Sequence, residues 1–191
     1  MYSHSILSLD AAFFILSFNF LYSFVPSLGM NKSIIFFIGF LLYNLACHGF
    51  SDFVFILVEP LSLDEAYLDV TNNKKGIKYA TQVAKMIKND ILRETGLTSS
   101  AGVSYNKFLA KIASDYNKPN GLKVITPEDK QQFLDMLPIN KFHGVGKVTE
   151  RKLRNLGVNN GYDLRQLSID KLESIFKNRG YMFYQLARGI D

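Results

Sequence analysis

The chain has 191 residues, 48% of them apolar, and a formal net charge of +5, enough for one sizeable domain or two small ones. Its one cysteine, Cys47, excludes an intrachain disulfide and fits a reducing compartment, taken here as the cytoplasm. Residues 1–60 hold one basic residue, Lys32, three acidic ones, Asp10, Asp52 and Glu59, and 11 of the 16 Phe; residues 61–191 hold 21 basic and 14 acidic residues, a net +7 that suits a polyanionic partner or simple solubility.

The apolar head comes first. Ala11 to Asn31 carries no charge, and Ser33 to Ser51 none apart from the neutral His48. Each run is near the ~20 residues that cross a bilayer, so a membrane hairpin is one reading. Asn19, Pro26 and Asn44 interrupt the runs, and no Lys/Arg cluster flanks them to set an orientation. Met1–Asp10 lacks the basic start of a signal peptide. Thymine-rich second codon positions in a shifted reading frame also yield Phe, Leu, Ile and Val in this manner, and that reading is preferred to a membrane anchor.

The body follows. Glu59–Thr71, EPLSLDEAYLDVT, alternates apolar and polar residues around a turn-forming break and predicts a strand pair or a bent strand. Ile77–Glu94 is a helix, with Ala80, Val83, Ala84, Ile87 and Ile91 at helical spacing and Gly96 as its stop. Ser99–Tyr105 is a strand. Asn106–Tyr116 is a helix, with Leu109, Ile112 and Ala113 inward and Lys107 and Lys111 outward. Pro119–Gly121 is a turn and Leu122–Ile125 a short strand. Thr126 caps a further helix with Pro127 at its first position, and Pro138 ends it. Beyond Ile139 only short, glycine-separated helices are expected. The fold class is therefore α+β: a helix-covered small sheet over 59–137, a small all-helical domain over 138–191, and an apolar segment, 1–58, set apart from both.

Three groups of residues carry chemistry. Asp64 and Glu65 lie in an apolar strand context, where two adjacent carboxylates are costly unless something positive meets them. A hard divalent cation such as Mg²⁺ would do so. The plainer alternative is a solvated turn. Adjacent strand residues point to opposite faces, so both could reach a metal only if the strand bends there. Lys107, Lys111 and Lys118 line the following strand–helix–turn. Each taken singly reads as a surface lysine, but Lys118, set before Pro-Asn-Gly, is the best placed for a phosphate. No G-x-x-x-x-G-K-[ST] loop exists.

The third group is a helix-hairpin-helix pattern at Ile139, Phe142, Gly144, Gly146, Thr149, Leu153, Leu156 and Gly157. Two glycines permit a tight hairpin whose N–H groups, beside a helix N-terminus, bind a phosphate without reading sequence. Lys147, Arg151 and Arg154 add positive charge. A bare connector with packing glycines is the weaker reading. His143 reads as a loop residue.

Ser62-Leu-Asp-Glu-Ala-Tyr-Leu-Asp69, then Gly102–Gly121, then Phe142–Gly157, then Arg179-Gly-Tyr and Leu186-Ala-Arg-Gly-Ile-Asp191 occur in this order. Residues 59–191 thereby resemble the Y-family DNA polymerases, in their bacterial translesion branch. The resemblance implies the second half of a palm at about 59–137 and a thumb at about 138–191. It implies that Asp64 and Glu65 are two of the carboxylates that hold two Mg²⁺ ions. It likewise implies that Lys118 contacts the incoming triphosphate, and that Gly144, Val145 and Gly146, with Lys147, Thr149 and Arg151, hold a DNA backbone. The implied partners are primer–template DNA, a deoxynucleoside triphosphate and, in full-length relatives, a sliding clamp. A membrane is the disfavoured partner, and belongs only to the alternative reading of the apolar head as an anchor.

The sequence also departs from that family. Its first strand ends in Asp-x-Asp-Ala-Phe-Phe/Tyr; here Ala12-Phe13-Phe14 echoes it with Leu9 and Ala11 where the acids belong, so the echo is read as chance or decay. The fingers' Tyr-x-x-Arg has no counterpart, and no little-finger domain follows. The chain alone is therefore expected to be catalytically silent and to bind DNA weakly.

Overall fold

A computed structural model describes residues 13–18 and 57–191, apart from 63, 72 and 74. Both candidate membrane runs fall outside the described residues, except for 13–18. No helix among the described residues is long and apolar enough to cross a membrane. The chain divides into two compact units between Val124 and Ile125.

In the first unit the described residues build one five-stranded sheet in the order β2-β3-β1-β4-β5. The strands are β1 (Phe13–Phe18), β2 (Leu57–Pro60), β3 (Glu65–Asp69), β4 (Ser99–Ser104) and β5 (Leu122–Val124). β2 and β3 are the strand pair expected from Glu59–Thr71. Pro60 pairs with Ala66, and the loop between them closes where the Leu61 and Ser62 amides both donate to the Glu65 carbonyl, at 2.9 and 3.1 Å.

β1 was not expected in this sheet, because the sequence reading sets residues 1–58 apart. It lies between β3 and β4, antiparallel to both, with Phe14 opposite Leu68 on one side and Val103 on the other. The physical reason is the backbone of β3 and β4. Without a strand between them, each would present a row of unpaired N–H and C=O groups. An apolar hexapeptide, FFILSF, rich in residues that suit a pleated surface, meets that need whatever its origin.

Among the described residues two helices cover the sheet, one on each face: α1 (Ala80–Thr95) and α2 (Lys107–Tyr116). Strand parity sorts the contacts. Leu68, Val70, Ala101 and Val103 share a core with Val83 and Ile87 of α1. The opposite parity meets α2: Tyr67 clusters with Ala110. α2 comes so close that a Cβ on Gly102 would lie 2.0 Å from the Ala110 carbonyl oxygen. Glu65 has the parity of Tyr67, so it faces α2. α1 ends as expected at Gly96, whose φ is 71° and whose N–H donates to the Leu92 carbonyl. α2 is capped by the Asn106 side chain, which accepts from the Leu109 N–H at 2.9 Å.

The second unit is helical: α3 (Lys130–Met136), a 3₁₀ turn over Ile139–Lys141, α4 (Lys147–Asn155), α5 (Gly161–Gln166), α6 (Ile169–Phe176) and α7 (Asn178–Leu186). Thr126 does engage the start of α3. Its hydroxyl accepts from the Asp129 N–H at 3.2 Å and donates to the Asp129 carboxylate at 2.9 Å. The helix itself starts at Lys130, so Pro127 sits in the preceding turn and not at the first helical position.

The division at Val124 also falls ahead of the expected boundary at 137–138. The reason is that α3 packs within the second unit. Asp135 of α3 makes two hydrogen bonds with Arg165 of α5, at 2.7 and 3.0 Å, and the Gly161 N–H donates to the Leu137 carbonyl at 3.0 Å. Phe142 and Phe183 are fully buried here, each contributing about 2–3 kcal/mol of hydrophobic stabilisation. Phe176 meets Phe183 edge to face at 5.2 Å.

Candidate functional site

The first candidate site forms where β3 begins. Glu65 is the first residue of that strand, and Asp64 lies in the bend before it. The two carboxylates are therefore not consecutive strand residues. Asp64 Oδ1 accepts from the Ser62 hydroxyl at 2.7 Å. Glu65, with 15% of its side chain exposed, turns to α2 and meets cations there. Lys111 Nζ donates to Glu65 Oε1 at 3.0 Å and to Asp115 Oδ2 at 2.8 Å. Lys118 Nζ lies 2.6 Å from Asp115 Oδ1 and 3.7 Å from Glu65 Oε1. Two carboxylates and two ammonium groups thus interlock.

Burial works against charge on Lys111, but its hydrogen bonds to Asp115 and Glu65 outweigh it and hold the ammonium above the ordinary lysine range. Burial likewise works against the Asp115 carboxylate, and the hydrogen bonds from Lys111 and Lys118 outweigh it and hold the group below the ordinary carboxylate range.

Lys111 corrects an expectation. It is buried, not outward, because α2 is buried along the whole run Phe108–Ser114 and offers no wet side there. Lys107, at the rim, pairs with Glu59 and lies 5.7 Å over the Tyr67 ring. Asp115 was missed. Its spacing, i+4 from Lys111 and i−3 from Lys118, was the signal that could have found it.

The turn that carries Lys118 is also pinned. It contains a cis Lys118–Pro119 peptide and Asn120 at φ 55°. Lys88 of α1 donates to the Asn120 carbonyl at 3.0 Å, to the Asn120 side chain at 2.9 Å, to the Gly121 carbonyl at 3.1 Å, and to the Ser99 carbonyl.

The second candidate site is the hairpin before α4. Gly144 adopts φ 87°, a left-handed conformation that favours glycine. Val145 is buried and its N–H donates inward to the Phe142 carbonyl at 3.0 Å, so it is not one of the outward donors. Gly146 is different. Its φ is −80°, and a Cβ there would touch nothing within 4 Å. Nothing among the described residues requires a glycine at 146. Its absent side chain leaves the start of α4 open to an outside group.

The first amides of α4, at Lys147, Val148 and Thr149, have no carbonyl one turn back in their helix, and Gly146 supplies no capping side chain. Lys147 and Arg151 are exposed and Thr149 is half-buried. Arg154 turns away to Glu150, at 2.9 Å, and to Asn159, at 3.2 Å. His143 is exposed in the turn. A further residue, missed from the sequence, closes the hairpin: Arg179 Nη2 of α7 donates to the Gly144 carbonyl at 2.7 Å.

The described carboxylates do not assemble a two-ion centre. Among the described residues no three His, Cys, Asp or Glu side chains group to hold a metal. Glu65 is already neutralised by Lys111.

Comparison with known proteins gives two family matches. Residues 46–115 match the impB/mucB/samB family, and residues 140–191 match the DNA polymerase-iota thumb domain. The first match begins ahead of Glu59, where the motif resemblance starts. DNA polymerase IV of Clostridioides difficile strain 630 is 70% identical over 135 residues, which are 71% of this chain and 37% of that protein. DNA polymerase IV of Listeria innocua is 56% identical over 70% of this chain and 37% of its own length. The chain thus spans well under half the length of these curated relatives.

Among solved structures, an insertion ternary complex of Dbh DNA polymerase superposes with a TM-score of 0.78 at 26% identity, covering 93% of this chain and 67% of that one. A Y-family DNA polymerase chimera superposes with a TM-score of 0.79 at 25% identity and the same coverage.

Proposed function

The chain belongs to the Y family of DNA polymerases, and from that premise we propose that its helical unit grips the backbone of duplex DNA through the Gly144–Gly146 hairpin while the chain alone performs no nucleotidyl transfer. The observation that carries the first half is Gly146. An unstrained, sterically unneeded glycine at an uncapped helix start is a place for a phosphate to approach the backbone. Lys147 and Arg151 supply the surrounding charge, and Thr149 stands in the same helical turn.

In the intact polymerase the partners would be primer–template DNA and a deoxynucleoside triphosphate. Asp64 and Glu65 would carry Mg²⁺ in translesion synthesis, and Lys118 would meet the triphosphate. A sliding clamp would join the full-length protein. Among the described residues no third ligand groups with Asp64 and Glu65, and two lysines meet Glu65 where a cation would sit.

The test is fluorescence anisotropy of labelled mixed-sequence duplexes from low to moderate salt. Affinity should fall with a log–log slope of about −2 to −4, as expected for a few phosphate contacts, with little difference between sequences. Gly146→Val should fold normally and lose most binding, because its side chain enters open space in the protein and blocks only an outside group. An affinity flat in salt, or Gly146→Val binding like the wild type, would sink this reading.

A further inference from the structure

We infer that Arg179 is the positioning residue of this hairpin and acts through the Gly144 carbonyl, not by touching nucleic acid. The inference rests on the DNA-backbone reading of the hairpin.

The argument starts from the peptide between Gly144 and Val145. Gly144 has no Cβ to restrict its backbone, and at φ 87° its carbonyl is on an exposed turn. Left alone, that peptide could reorient about the glycine. Two hydrogen bonds prevent it. The Arg179 guanidinium donates to the Gly144 oxygen at 2.7 Å, and the Val145 N–H of the same peptide donates to the Phe142 oxygen at 3.0 Å. The peptide plane is held from both ends. The next amides along the chain, from Gly146 into α4, then point where the Gly144–Val145 plane sends them.

Arg179 is itself well placed to hold. Its guanidinium carbon lies 5.3 Å from the centre of the Phe183 ring, which is fully buried. α7 is seated tightly beside α6, since a Cβ on Gly180 would lie 2.4 Å from the Glu173 backbone nitrogen. This helix therefore meets the hairpin through the Arg179 hydrogen bond, with the Met182 methyl near Gly144, and Arg179 is the side chain that fixes the carbonyl. An arginine beside a phosphate site invites a different assignment, a direct charge on DNA. The committed hydrogen bond and the ring contact argue against it.

The two roles separate experimentally. In the full chain, Arg179→Met should speed hydrogen exchange of the Val145 amide about tenfold, the effect of losing a charge-assisted hydrogen bond, while amides of α5 exchange as before. Duplex affinity should fall about tenfold with the salt slope nearly unchanged. Lys147→Ala, in contrast, should reduce that slope by about 1. Arg179→Lys, keeping charge and a donor, should restore part of the protection at Val145.

Unchanged exchange in Arg179→Met overturns the inference. So does a slope reduced by a full unit, which would place Arg179 on a phosphate. If the wild-type chain binds no duplex at all, the DNA reading fails, whereas the exchange measurement still decides whether Arg179 holds the peptide.

Discussion

Glu65 Oε1 is shared by Lys111 at 3.0 Å and Lys118 at 3.7 Å, and the nearer lysine is 9% exposed at its side chain. Removing Lys111 would leave the half-buried carboxylate with only the longer contact, and Asp115 with one lysine in place of two. Lys111→Met should therefore cost about 2–3 kcal/mol, read as a lower urea midpoint at unchanged slope. Glu65→Gln combined with it should cost less than the sum of the two single changes, because the pair then disappears together. Strict additivity would mean that the two side chains do not interact.

The neighbouring residues show what the sequence made legible here. Motif and turn chemistry single out Lys118, Asp64 and Glu65 in the sequence, and the structure brings Lys118 within 3.7 Å of Glu65. The inward turn of Lys111 could not be read there, because a periodicity argument gives a lysine to the wet face. α2 has no wet face over Phe108–Ser114, where the small residues let it press on Gly102.

At the scale of elements, helix ends decide several features. Asn106 and Ser168 cap their helices with side-chain oxygens, at 2.9 and 3.3 Å from the amides they accept. The junction of α6 and α7 has no such help. Lys177 sits there at φ 56° and ψ −134°, a backbone region that only glycine enters without strain. Lys177→Gly should then stabilise the chain by about 1 kcal/mol, raising the thermal midpoint by a few degrees. A lowered midpoint would mean that the Lys177 side chain makes a compensating contact.

The α3–α5 pair depends on pH. The hydrogen bonds from Arg165 hold the Asp135 carboxyl below the ordinary carboxylate range. A carboxylate whose folded pKa is depressed adds stability that is full above its unfolded value, about 3.9, and is lost as pH falls through the folded value. The thermal midpoint of Asp135→Asn should therefore lie below that of the wild type at pH 7, with the gap closing as pH falls below about 4. A gap that stays constant with pH would remove Asp135 as the titrating group. Helix existence and order were legible from glycines, prolines and apolar spacing. The pairing of Asp135 with Arg165, and with it the place of α3 in the second unit, was not, because nothing local in the sequence links residues thirty positions apart.

For the molecule as a whole, the sheet and the chemistry lead in different directions. The sheet is continuous in its backbone pairing from β3 to β4, since Phe13–Phe18 fills the place between them. Hydrogen bonding asks only for an extended segment there. The chemistry asks for particular side chains, and in the segment that echoes the family's first strand Leu9 and Ala11 stand in place of acids. Backbone pairing therefore says nothing about the carboxylates, and structural similarity over 93% of the chain is a likeness of fold, not of chemistry. Two Mg²⁺ ions between phosphates need several hard oxygen ligands. Asp64 and Glu65 alone, the latter already neutralised by lysine, offer too few. The purified chain with primed template, all four deoxynucleoside triphosphates and Mg²⁺ should therefore extend no primer above the level of a Glu65→Gln control, over hours at micromolar protein. The same preparation should still bind the duplex in a salt-dependent manner, which shows that the silence is chemical and not a failure to fold. Template-directed extension that Glu65→Gln abolishes would overturn this. It would require another residue of the chain to supply the third carboxylate.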